Sequence, residues 1–306
     1  MRARSEPQDE SVWWELVTRP QPGVAAEVAA QILRERAWQG VALTDRGLIA
    51  YFATPDAARS AASAVAPWCT SSEVQPVKAA NWSNWRQTFQ PVGAGERLRI
   101  YPPWLAPTPA ILGAVQPGSA ELPVVIEPGL AFGTGDHPTT AACLAYLERW
   151  VRRGQTVLDV GTGSGVLAIA AALLGAGRVL AIDLDPVACR AARENLARNP
   201  AAIGRVEVLE QDAAALGDIA ADLVVANLTS SLLTSLASLL ARLVRPSGLL
   251  VVSGMSSEQA PAVTAAFAAA GLRAWSRTLE RGWTTLLLRY GPPATDAGGQ
   301  DRRATC

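Results

Sequence analysis

The hydrophobic pattern changes character near residue 124. Beyond it, apolar runs of strand length at 124–127, 156–160, 179–183, 206–210, 223–227 and 249–253 precede stretches of helical spacing at 139–153, 165–175, 187–198, 230–243 and 258–270. Strands that are apolar throughout, with helices between them, predict a parallel sheet covered on both faces. The last two strand segments, 272–279 and 284–289, are joined by Glu280-Arg281-Gly282 with no helix between. The final strand is therefore predicted to run antiparallel to its predecessor.

Upstream the elements are smaller. Residues 12–18 read as a strand and 24–38 as a helix. Segments 41–44 and 48–53 flank the turn Thr44-Asp45-Arg46-Gly47, and a helix over 57–65 starts behind Pro55. This β-α-β-β-α order is ferredoxin-like, with a last strand expected near 68–78. Prolines at 76, 91, 102, 103, 107, 109, 117 and 123 make the next stretch read as a connector, with a short helix near 82–90. Trp82 and Trp85 share a face of that helix and read as packing against the neighbouring domain or as a partner surface. Residues 291–306, rich in Gly, Pro, Asp and Arg, read as disordered. The expected organisation is an N-terminal α/β domain over 1–75, a Pro/Trp-rich linker over 76–123, a sheet domain over 124–290 and a tail.

Composition narrows the classes. The 306 residues are 49% apolar and 18% charged, enough for about two packed domains. Lys plus Arg and Asp plus Glu both number 27. Neither a basic arm nor a net charge offers a general grip on nucleic acid or an anionic membrane. Cys69, Cys143, Cys189 and Cys306 are widely spaced and His137 is the single histidine, which excludes a Cys/His zinc site; no metal is expected. The sparse cysteines fit a reducing compartment. The longest apolar run, 165–177, is too short for a bilayer, and the first ten residues lack a signal-peptide core. A soluble, cytoplasmic protein is expected.

The candidate chemistry begins at Val157-Leu158-Asp159-Val160-Gly161-Thr162-Gly163-Ser164-Gly165, a buried strand entering a glycine turn and then a helix. Such a turn lets backbone approach a ligand, with helix N–H groups nearby. The dinucleotide fingerprint needs a further glycine at 166, where Val166 stands, which counts against a nicotinamide cofactor. Asp183 ends the next strand, where a carboxylate accepts from both hydroxyls of a ribose. Asp185 reads as a helix cap or a contact. Asp212, after the third strand, is a candidate for the adenine amino group. Asn227, at the end of the fourth, is a candidate at the reacting centre or a cap for the helix that follows. Together the glycine turn, the strand-end acid and the reversed last strand resemble the class I S-adenosylmethionine-dependent methyltransferases over residues 155–290.

A narrower resemblance lies upstream. Glu127-Pro128-Gly129-Leu130-Ala131-Phe132-Gly133-Thr134-Gly135-Asp136-His137-Pro138-Thr139-Thr140 resembles the signature of the ribosomal protein L-eleven methyltransferase family. Trp82, Trp85, Phe89-Gln90-Pro91 and Pro103-Trp104 resemble that family's linker. The resemblance implies a Rossmann-like seven-stranded sheet and S-adenosylmethionine as cofactor. It implies cofactor contacts at Thr140, Gly161, Gly163, Asp183, Asp212, Asn227 and the loop residue Phe132. The implied reaction is methyl transfer to lysine or N-terminal amines of the large-subunit ribosomal protein, without direct nucleic-acid binding being required and without a membrane. Asn227 is the candidate beside the amine, as an acceptor. His137, placed before Pro138, reads as loop and helix-start geometry more than as a base. The alternatives are methylation of another protein, RNA or a small molecule, a nicotinamide-dependent dehydrogenase, and a binding module without catalysis.

Overall fold

The computed structural model describes residues 12–21, 25–34, 36, 39–44, 47–78, 90–128, 135, 137–217 and 219–291. The expected helix near 82–90, the glycine-rich loop up to Thr134 with its Phe132, and the tail beyond Gly291 lie wholly or almost wholly outside them. Two compact units emerge. One takes the chain up to Pro91 together with Glu127–Phe132; the other takes Val92–Ile126 and the chain from Gly133 on.

The N-terminal unit holds β1 (Val12–Pro20), α1 (Ala25–Arg34), β2 (Gln39–Thr44), β3 (Gly47–Phe52), α2 (Pro55–Val65) and β4 (Cys69–Lys78). The strands pair antiparallel in the order β2-β3-β1-β4, the order a ferredoxin-like module requires. Thr54 caps α2 by accepting from the Ala57 N–H, and Pro55 occupies the first turn, where its missing N–H costs nothing. Ala58, Ala61 and Val65, at helical spacing, then pack with Leu16, Leu33 and Phe52 in a core of this unit's own.

Residues 92–126 are not a connector: the linker expected over 76–123 is folded from Val92 on and runs into the strand expected at 124–127. They form β5 (Val92–Gly93), β6 (Leu98–Tyr101), α3 (Pro109–Ala114) and β7 (Leu122–Val125), with β5-β6-β7 a small sheet of its own. The strand expected at 124–127 thus pairs with β6 and takes no part in the large sheet. The prolines do not break these elements. Pro109 starts α3, Pro117 sits in a turn, and Pro123 lies in an edge strand, where a missing N–H is tolerated. Between them, Leu98, Ile100, Leu122, Val124 and Ile126 alternate into the core.

The large sheet contains β8 (Thr156–Val160), β9 (Arg178–Asp183), β10 (Val206–Glu210), β11 (Ala221–Asn227), β12 (Val244–Ser256), β13 (Leu272–Glu280) and β14 (Trp283–Tyr290), in the order β10-β9-β8-β11-β12-β14-β13. The first five run parallel, and β14 is antiparallel to both its neighbours, as the short connection demands. The helices are α4 (Pro138–Trp150), α5 (Val166–Leu174), α6 (Pro186–Ala197), α7 (Ser230–Ser235), α8 (Ala237–Arg242) and α9 (Ala260–Ala269). The single helix expected at 230–243 is two, divided where Leu236 leaves helical geometry at φ −93°, ψ 2°.

Alternate strand residues feed two cores. Val157, Val179, Leu223, Val225 and Val251 face α4 and α5; Leu158, Leu180, Val224, Leu250 and Val252 face α7, α8 and α9. Each such side chain contributes about 1.5–3 kcal/mol. All nine residues of α5 are buried, because its outer side is covered by β7 and the small sheet. Among the described residues no helix is long and apolar enough to cross a membrane.

Candidate active site

The sheet brings its carboxyl-end residues together at one edge. Val160 leads into the glycine turn, whose Gly161 and Thr162 N–H groups both donate to the Ile182 carbonyl, at 2.9 and 3.0 Å. The turn is thereby fastened to the end of β9. Gly161 has φ +75°, and a Cβ placed on it would come within 2.4 Å of Leu228 Cδ2. Glycine takes that left-handed conformation without the strain a side chain would bring, and leaves Leu228 its place.

Asp183 is held from two sides. Its Oδ2 accepts from the Gly163 N–H at 3.0 Å and its Oδ1 from the Asp185 N–H at 3.0 Å. Each carboxylate oxygen has a further lone pair for an outside donor. Two sequence candidates, Gly163 and Asp183, are thus one hydrogen-bonded unit. Leu184, 69% exposed beside it, is an apolar surface that the sequence reading passed over, although a leucine between two acids is visible there. Asp185 resolves as a cap, accepting from the Val187 N–H at 2.8 Å. Asp212 likewise accepts from the Ala214 N–H at 2.8 Å at the head of a short 3-10 turn, just past Glu210, which pairs with Asp183.

Asn227 follows Ala226, the register partner of Val160, so it emerges beside Gly161. It does not cap the next helix; the residue in that position is Thr229. Its Nδ2 donates instead to the hydroxyls of Thr139, at 3.2 Å, and Thr140, at 3.4 Å, both buried in the first turn of α4. Thr140 and Asn227 are therefore in contact, and Thr139 joins them. With its N–H groups so engaged, the Asn227 amide oxygen is the acceptor left at this edge. Gly254, at φ +96°, admits the close pass of Leu228 that sets this geometry: a Cβ there would lie 2.1 Å from the Leu228 carbonyl.

His137 is the N-cap of α4. Its Nδ1 accepts from the Thr139 N–H at 3.3 Å and lies 2.8 Å from the Thr139 hydroxyl, while its ring meets Trp283 edge-on at 4.9 Å.

Beneath the turn lies a carboxylate absent from the sequence candidates. Asp159 is fully buried on β8. Its Oδ2 accepts from the Thr162 hydroxyl at 2.7 Å, and its Oδ1 meets no donor in hydrogen-bonding geometry. Burial pushes its pKa up to about 7, with the Thr162 hydrogen bond pulling the other way and the Asp183 charge adding to the rise. Burial, reinforced by the Asp159 charge, also drives the neighbouring Cys143 thiol upward, so that thiol stays protonated. An acid inside an otherwise apolar strand was the available signal for Asp159.

The edge gathers a donor and acceptor set of the kind a nucleoside diol calls for. It offers backbone that approaches closely, a doubly oriented carboxylate, an adjoining apolar side chain and a capped acid one strand further along. Thr140, Gly161, Gly163, Asp183, Asp212 and Asn227 all lie along this edge. Phe132 lies outside the described residues.

Comparison with known proteins points the same way. The sequence profile of the family described as Ribosomal protein L11 methyltransferase (PrmA) matches residues 5–290. The protein of that name from Pelotomaculum thermopropionicum is 43% identical over 210 residues, covering 68% of this chain and 65% of the relative. The one from Pseudomonas aeruginosa is 46% identical over 198 residues, covering 64% and 63%. The matched region thus spans about two thirds of the curated relatives. The crystal structure of ribosomal protein L11 methylase from Lactobacillus delbrueckii subsp. bulgaricus superposes with a TM-score of 0.59 at 31% identity, over 66% of this chain and 100% of that one.

Proposed function

The chain belongs to the ribosomal protein L11 methyltransferase family, and from that premise we propose that it transfers methyl groups from S-adenosylmethionine to amino groups of the large-subunit ribosomal protein. The observation that carries the reading is the glycine turn locked to Asp183 on the same sheet edge as the Asn227–Thr140 pair.

When bound, the cofactor supplies a methyl group made electrophilic by its sulfonium. Asp183 accepts from the ribose hydroxyls through the lone pairs that Gly163 and Asp185 leave over. The Gly161 turn lets the chain lie close against the ligand. Asp212 and Leu184 serve the base, one as acceptor and one as an apolar face. Asn227, fixed by Thr139 and Thr140, turns its amide oxygen to the incoming amine. The amine has to be neutral to attack, and a free lysine has a pKa near 10.4. An acceptor in a site shielded from water favours an uncharged, aligned nitrogen, and alignment supplies much of the remaining acceleration. His137, engaged as a cap, is not assigned the proton.

The test is incubation with labelled S-adenosylmethionine and undermethylated ribosomal proteins. Label on the L11 band is expected. Label on another protein or on RNA would replace this substrate, and no label at all would sink the enzymatic reading.

A further inference from the structure

The opposite edge of the large sheet carries a feature that the proposed chemistry does not use. α4 starts beside Asn227 and runs 13 residues, about 20 Å, to the amino edge of the sheet. There Trp150 meets Trp275 of β13 with ring centroids 4.8 Å apart. Both line a groove of about 360 Å³ with Pro246, Leu249, Arg289 and Tyr290. Trp275 lies at the register shift between Ala274 and Ser276, a bulge on an edge strand, and is 45% exposed. Bulges of this kind re-aim a side chain and blunt strand-to-strand pairing.

Three guanidinium groups lie over the two indoles within cation–π range. Arg289 lies 4.2 Å from the Trp275 ring centroid, and Arg149 and Arg152 lie 5.5 and 5.9 Å from that of Trp150. Among the described residues neither Arg152 nor Arg289 makes an ion pair. The acids Glu148 and Asp222 are taken up by Arg97 and Arg245 respectively. The Trp150 Nε1–H is buried without an acceptor. Among the described residues the cluster therefore presents cations and flat aromatic surface, with no free carboxylate. Its complement is planar, rich in acceptors and negatively charged.

We propose that this groove binds single-stranded RNA, a base stacking on the Trp275–Arg289 layer and the backbone phosphates meeting Arg289 and Arg152. An acidic peptide would satisfy the charges but leave the stacked indoles without a purpose; stacking together with cations is how single strands are held irrespective of sequence. No basic run in the chain announces the site, because the fold gathers it from α4, β13 and β14. The proposal deepens the reading above, since a ribosomal protein is met in company with ribosomal RNA.

The experiment is fluorescence anisotropy of a short fluorescein-labelled single-stranded RNA titrated with the full-length protein, without cofactor or protein substrate. Its outcome is thus independent of the methylation assay. Trp275→Ala and Arg289→Gln should each weaken binding by roughly tenfold, with S-adenosylmethionine affinity unchanged and a cooperative melting transition retained, lowered only by the lost Trp150 and Arg289 contacts. Arg289→Lys keeps the charge but loses the flat stack, so it should retain the salt dependence while weakening binding. RNA affinity that is absent, or equal in wild type, Trp275→Ala and Arg289→Gln, would overturn the proposal. Displacement of the RNA by polyglutamate at lower concentration than by unlabelled RNA would also overturn it, in favour of an acidic peptide.

Discussion

Asp183 and Asp159 are neighbouring carboxylates with opposite circumstances. Asp183 sits at the surface of the cradle with its oxygens aligned by two backbone N–H groups. Two charge-assisted hydrogen bonds to a ribose are at stake there, each about 1.5–3 kcal/mol. Asp183→Ala should therefore weaken S-adenosylmethionine binding at least roughly tenfold in calorimetry; unchanged affinity would remove the ribose assignment. Asp159 is sealed in the core with its pKa raised from 3.8 to about 7. The folded protein holds a proton that the unfolded chain releases above about pH 4. This group's contribution is thus complete below that pH and is lost as pH rises toward 7, at up to about 1.4 kcal/mol per unit, or about 4 kcal/mol across the window. Asp159→Asn keeps the shape without the titration. Melting temperatures of the variant should gain on wild type from about pH 4 to about pH 7. Parallel profiles would show that the carboxyl does not titrate in that interval.

At the scale of elements, α4 links the cofactor edge to the far edge of the sheet. Its start is set by His137, Pro138 and the two threonines, and those threonines orient Asn227. His137→Ala should cost about 0.5–2 kcal/mol of stability through the lost cap, measured by denaturant unfolding, while keeping kcat for methylation within about tenfold of wild type. A fall of about 10²–10⁴ in kcat, with loss of one limb of the pH–rate profile, would instead make it the base. α5 teaches a different lesson. Its nine buried residues leave no polar face, and a helix apolar all round needs cover on every side. The sheet supplies one side and β5–β7 the other.

At the scale of the whole molecule, the N-terminal unit has its own core and its own four-stranded sheet. The cofactor edge is built entirely from residues beyond Ile126. We propose that substrate choice resides in the N-terminal unit. Because β4 continues to Lys78 and β5 begins at Val92, a chain beginning at Val92 removes the whole four-stranded sheet and its helices without cutting the other two sheets. It should fold and bind S-adenosylmethionine at near full-length affinity, yet lose methylation of the ribosomal protein. Methylation at the full-length rate would refute the division of labour, and failure to fold would make the N-terminal unit a brace.

Much of this was legible in the chain itself. Strand–helix alternation and the three-residue link at Glu280-Arg281-Gly282 determined a parallel sheet with a reversed last strand, because apolar period and connection length act locally. The glycine turn and Asp183 were legible because a close approach and a strand-end acid leave fixed marks in sequence. What the tertiary structure alone decided depended on partners distant in the chain. Residues 92–123 read as part of a connector because their prolines were conspicuous, whereas their strands are short and are stabilised by an α5 more than forty residues away. Asn227 read equally as a cap or a site residue until the fold placed Thr139 and Thr140, 88 and 87 positions away, at its amide. The raised pKa of Asp159 and the Trp–Arg groove have the same origin. Burial and stacking belong to the assembled molecule, since they require several segments to converge before any single residue acquires the property.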